Sequence, residues 1–143
     1  MRKPVYILLL LLIPACSFSQ SQPTPSIVLD TFKSLPKDID GCAETCAYKD
    51  TPLKAEKYVW ITNMQELGMI KVGGKVIRLH KVSETASGKN HKEVYKGEGY
   101  IVVTKMKEVV VKESEETSYI VGTLEITYGG KVTTFVIHGT AGC

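Results

Sequence analysis

The chain has 143 residues, of which 43% are hydrophobic and 23% charged, and its formal net charge is +3. That length suits one domain with a single core. The charge falls to +1 once Arg2 and Lys3 are set aside, and such a balance excludes the clustered lysine and arginine that binding a phosphate backbone requires.

Arg2 and Lys3 precede an apolar run from Val5 to Ile13, closed by Pro14-Ala15-Cys16. A basic start, a short apolar run and small residues form the layout of a secretory signal peptide, and the run is too short for a spanning helix, which needs about 20 residues. Residues 1–19 are therefore expected to be an export signal. Ala15 and Cys16 fit a lipobox, in which the cysteine is lipidated and becomes the new N-terminus. Small residues at Ser17 and Ser19 offer a competing cut before Gln20. Retention of Cys16 would hold the protein on a membrane through acyl chains worth ~0.8 kcal/mol per buried methylene, whereas cutting before Gln20 would free it into the periplasm or medium.

Residues 20–25 are polar and interrupted by proline, as expected of a tether. Residues 26–143 are expected to form a single β domain. Thr24-Pro25 has the chemistry of a helix start, Val28, Phe32 and Leu35 recur at helical spacing, and Pro36 ends the segment, which predicts one short N-terminal helix. Lys37 to Ala55 carries Asp, Gly, Pro and two cysteines, and reads as a loop stapled by a disulfide.

From Lys57 onward valine, isoleucine, threonine and tyrosine dominate, with Tyr58-Val59-Trp60-Ile61 as the expected first strand. Two Gly-Gly hairpins, at Gly73-Gly74 and Gly129-Gly130, carry the strongest local signal, because paired glycines allow the positive φ angles of a two-residue turn. In that register Ile70, Val72, Ile77 and Leu79 share one face, with Lys71, Arg78 and His80 opposite. Leu124, Ile126, Tyr128, Phe135 and Ile137 likewise share a face, with Glu125, Thr127, Thr134 and His138 opposite. Between the hairpins, Tyr100 to Lys112 supplies one bent strand or two. The fold class is mainly β: an antiparallel meander of about six to eight strands, closed as a barrel or left as a curled sheet.

Three cysteines follow the leader, Cys42, Cys46 and Cys143. Export favours one disulfide among them. Tying Cys42 or Cys46 to Cys143 would close a loop of roughly 100 residues, worth about 4–5 kcal/mol on chain entropy, and is preferred to a bridge between the two close cysteines. A Cys3His zinc site from Cys42, Cys46, His138 and Cys143 is the weaker alternative. Asp38-Ile39-Asp40-Gly41 starts like a calcium loop, but Ala47 stands where that loop needs its closing glutamate. No nucleophile elbow, phosphate-cradling glycine loop or His-Glu-x-x-His motif is present, so neither an enzyme nor a cofactor is expected.

Asp40-Gly41-Cys42, the hairpin Met69 to Val76 and the tail His138 to Cys143 resemble small uncharacterised exported proteins and lipoproteins of Bacteroidetes-type bacteria. The resemblance implies an envelope location and a β fold. Those proteins often carry a second tail cysteine where Ala141 stands here. Ala86-Ser87-Gly88-Lys89 and Tyr95-Lys96-Gly97-Glu98 are more faintly similar to the recognition segments of periplasmic inhibitors of C-type lysozyme, with Asn90-His91 replacing an expected aromatic residue. The expected function is a non-enzymatic envelope module that binds a protein or an envelope glycan through its polar sheet face or the Thr85 to Lys96 loop. Ser87, Gly88, Lys89, Tyr95 and Lys96 are its candidate contacts. The alternatives are a lysozyme-type inhibitor and a thiol- or metal-dependent enzyme.

Overall fold

A computed structural model describes residues 26–109 and 117–143. The expected export signal, the candidate lipidation site Cys16 and the expected tether lie outside these residues. The described chain forms a closed barrel of antiparallel strands in sequence order: β1 (Ala43–Tyr48), β2 (Trp60–Thr62), β3 (Leu67–Val72), β4 (Lys75–Ser87), β5 (Asn90–Gly97), β6 (Tyr100–Val109), β7 (Thr117–Tyr128) and β8 (Lys131–Gly142). Pairing of β1 with β8 closes the sheet and removes its edges.

The Gly-Gly hairpins adopt the expected registers. Ile70 faces Ile77 and Gly68 faces Leu79, while Ile126 faces Thr133 and Leu124 faces Phe135. All four turn glycines have positive φ. The predicted apolar faces point inward, where Ile70, Ile77, Leu79, Leu124, Ile126 and Ile137 join the barrel core. At the tip of the second hairpin the pattern frays, for Tyr128 is about half exposed.

Residues 26–35 are not helical. Only a few turns could form between Pro25 and Pro36, and so short a helix must dock to persist. The segment instead extends, placing Ile27 and Leu29 against the barrel core and Phe32 on its outer wall with Ile61 and Met69. Its backbone finds sheet partners, with Asp30 N donating to Lys71 O at 2.8 Å and Phe32 N to Tyr58 O at 2.8 Å. Val72, Gly73, Tyr100, Tyr128 and Gly129 surround residues 26–28, so this segment covers the end of the barrel at which the Gly-Gly turns lie.

The expected loop from Lys37 to Ala55 contains a strand. β1 escapes a reading by composition because its inward residues are Glu44, Cys46 and Tyr48 and its outward ones Ala43, Thr45 and Ala47, an alternation with almost no hydropathy contrast. The segment beginning at Tyr58 is accordingly the second strand, shortened to Trp60–Thr62. Because β1 pairs with β8 as Ala43 to Gly142, Cys42 lies beside Cys143 and forms the disulfide with it, across a sequence separation of 101. Cys46 faces the interior as a buried free thiol.

Candidate functional site

Alternation along closed strands brings one residue in two into the lumen. Over most of its length the lumen is apolar. Towards the disulfide end it ends in an edge-to-face pair, Trp60 and Tyr95, with ring centroids 5.0 Å apart. Beyond these rings the inward positions become polar. β1 supplies Glu44, β2 Thr62, β4 Lys81 and Glu84, and β5 His91 and Glu93. Val82 is bulged out of the β4–β5 ladder, which allows Lys81 and Glu84, three residues apart, to face the same side.

These side chains are extensively bonded. Trp60 Nε1 donates to Glu44 Oε1 at 3.2 Å, and Tyr95 OH donates to Glu93 Oε2 at 2.9 Å. Thr62 Oγ1 accepts from Met64 N at 3.0 Å and lies 3.4 Å from the Tyr95 hydroxyl. Lys81 Nζ donates to Glu93 Oε1 at 2.8 Å and Glu84 Oε2 at 2.9 Å. His91 Nε2 stands 3.8 Å from Glu44 Oε2. Glu44 and Glu93 are both buried, so each carboxylate depends on this network for its partners. Among the described residues two buried hydroxyls have no hydrogen bond, Thr104 Oγ1, on the residue paired with Glu93, and Thr133 Oγ1, on the residue paired with Ile126.

Proton affinities follow the same geometry. The Glu44 carboxylate holds His91 above the ordinary imidazole range, outweighing the opposing effect of burial. For Lys81, burial would lower the ammonium pKa, but bonds to Glu93 and Glu84 offset this and raise it. Burial, then the charge of Glu44, pushes the Cys46 thiol up. Burial likewise raises the Tyr95 phenol, which stays a donor.

Glu44, Thr62, Glu84, His91, Glu93 and Glu108 line a cavity of about 820 Å³ at this end of the barrel, together with Gly88, Lys89 and the β8 terminus at Cys143. Its size falls within the range of small-molecule sites. Ser118 Oγ donates to Glu108 Oε1 at 2.6 Å on its wall.

The candidate contacts from the sequence are dispersed by this fold. Thr85 to Lys96 is not a loop but most of the β4–β5 hairpin, turning tightly at Gly88-Lys89, where Gly88 has φ +59°. Gly88 and Lys89 reach the rim of the cavity. Ser87 ends β4 beside them. Tyr95 is 0% exposed and packs in the barrel core against Trp60, so it presents nothing to a surface partner. Lys96 is exposed on the outer wall, paired with His80 and Ile101. A single recognition surface from Ser87, Gly88, Lys89, Tyr95 and Lys96 is therefore not assembled.

Nor is the zinc alternative. Cys42 and Cys143 are oxidised together, Cys46 is inside, and His138 is on the outer wall, its Nε2 donating to Thr51 O at 2.7 Å and its Nδ1 accepting from Tyr119 OH at 2.8 Å. Among the described residues no three His, Cys, Asp or Glu side chains gather as a metal would require. Asp38, from the calcium-like run, instead accepts from Arg78 Nε at 2.6 Å.

Sequence reasoning missed Glu44, Glu93 and Trp60 as a group. A signal existed in β5, where His91, Glu93 and Tyr95 alternate with Lys92, Val94 and Lys96. It reads as polar on both faces until closure shows which face is inside. No family model, curated protein or solved structure matches the chain.

Proposed function

We propose that this protein is an exported, non-enzymatic binding module of the cell envelope, and that it receives its ligand in the polar end of the barrel rather than on the outer sheet face. One observation carries the reading. A barrel of eight strands is just wide enough to be filled by side chains or to hold one small ligand, and here the apolar filling stops at Trp60 and Tyr95, above which buried polar groups surround a cavity of about 820 Å³. Burying Glu44 and Glu93 is costly for a purely structural barrel, since polar groups taken from water are stabilising only when fully paired. The long-range disulfide suits an oxidising compartment and agrees with the leader-like first residues. A saccharide fragment of the envelope is the expected ligand, for hydroxyl groups and carboxylates form complementary hydrogen bonds.

Trp60 is the only tryptophan, and its indole N–H bonds to Glu44, which lines the cavity, so its emission reports on that wall. Titration with envelope glycan fragments should change Trp60 fluorescence saturably. Ala86→Phe, which fills the cavity wall and leaves Trp60 as the only tryptophan, should abolish the response without altering the far-ultraviolet circular dichroism. A saturable response that persists in Ala86→Phe would move the binding site elsewhere.

A further inference from the structure

We infer that the group recognised at the barrel end is a primary ammonium, as carried by an amino sugar or a short alkylamine, and that Glu44 receives it. The inference deepens the reading of the cavity as a binding site and rests on it. Four carboxyl side chains line the cavity: Glu44, Glu84, Glu93 and Glu108. Three have strong internal donors, since Lys81 serves Glu93 and Glu84 and Ser118 serves Glu108. Glu44 differs. It is 4% exposed, Trp60 donates to only one of its oxygens, and the other has His91 at 3.8 Å, beyond hydrogen-bond range. Glu44 Oε2, whose one partner among the described residues is that imidazole at 3.8 Å, stands on the cavity wall and can accept from a shorter, stronger donor from outside.

The kind of donor follows from the same geometry. An anion would meet four carboxylates, Glu44, Glu84, Glu93 and Glu108, which Lys81, Lys89 and protonated His91 neutralise only in part. A guanidinium binds carboxylates best through two parallel bonds, and Trp60 already occupies Oε1 of Glu44, which removes the second half of that fork. An ammonium is compact and needs one oxygen, leaving its remaining protons for nearby acceptors.

Calorimetry and Trp60 fluorescence on the mature protein with matched probes test this. The glucosamine disaccharide and cadaverine carry ammonium groups, whereas cellobiose and diacetylchitobiose of similar size do not. The ammonium probes should bind at least about tenfold more tightly, the difference expected of one added charge-assisted hydrogen bond. Glu44→Gln keeps an oxygen for Trp60 and should remove that advantage. His91→Gln removes a competing cation 3.8 Å from the same oxygen and should tighten ammonium binding several-fold, a gain that an unfolded variant cannot produce. Equal binding of charged and neutral disaccharides, blocked by Ala86→Phe, would overturn the ammonium assignment and leave the cavity as the site. No response to any of the four probes up to about 10 mM, weaker than the affinities of interest, would overturn both.

Discussion

The ring of Trp60 occupies the space that any side chain on Gly68 would need. A β-carbon placed on Gly68 would run into the indole Cη2, and would also come within 3.0 Å of the Tyr95 ring. The absence of a side chain on β3 is thus what allows the aromatic pair to close the apolar part of the lumen. Gly68→Ala should destabilise the protein by about 1–3 kcal/mol through overpacking, and the Trp60 emission should change because the ring must move from Glu44. Chemical denaturation monitored by fluorescence measures both. An unchanged midpoint would mean that the ring has room the structure does not show.

The disulfide yields a second prediction. Non-reducing peptide mapping should find Cys42 joined to Cys143, and Cys46 should resist alkylation until the barrel unfolds, because burial and the neighbouring Glu44 raise its thiol pKa. Cys143→Ser should lower stability by about 3–5 kcal/mol, given a closed loop of this length, and so depress Tm by about 10 °C or more. A bridge from Cys46 to either partner would contradict the inward orientation of β1.

A third prediction separates neighbouring residues on β4. Ile77 lies in the core, and Ile77→Asp should unfold the domain, since an unpaired buried carboxylate costs several kcal/mol. Arg78 is on the outer wall, paired with Asp38 at 2.6 Å in an exposed contact. Arg78→Asp should cost about 1 kcal/mol or less. Urea unfolding of the two variants should differ accordingly, and equal damage from both would show that the outer wall there is buried.

The last prediction concerns pH. His91 has a folded pKa raised by Glu44 above its ordinary value of about 6.5. Its ion pair therefore contributes stability that is fully present below about pH 6.5 and is lost as pH rises through the raised folded value. In urea, the stability difference between wild type and His91→Gln should be larger at about pH 5.5 than at about pH 9, by roughly 0.5 kcal/mol for a half-buried pair. A difference that grows with rising pH would place Glu44 away from the imidazole.

The sequence by itself determined the β class, the two Gly-Gly turns, the registers that follow from them and the inward apolar faces. These are local properties: two glycines fix a turn, the turn fixes which residues oppose each other, and the period of two assigns sides. Closure and long-range pairing decided the rest. Residues 26–35 have helical spacing, yet their backbone donors are satisfied by Lys71 and Tyr58, partners distant in sequence. β1 has no hydropathy contrast, and only its pairing with β8 makes it a strand, which also selects Cys42 over Cys46 as the partner of Cys143. The candidate site was legible least of all. Glu44, Trp60 and His91 come from three strands, and each has an ordinary polar or aromatic side chain whose meaning depends on facing the lumen. A barrel interior is defined by the last strand pairing with the first, so no window of sequence shorter than the whole barrel contains that information.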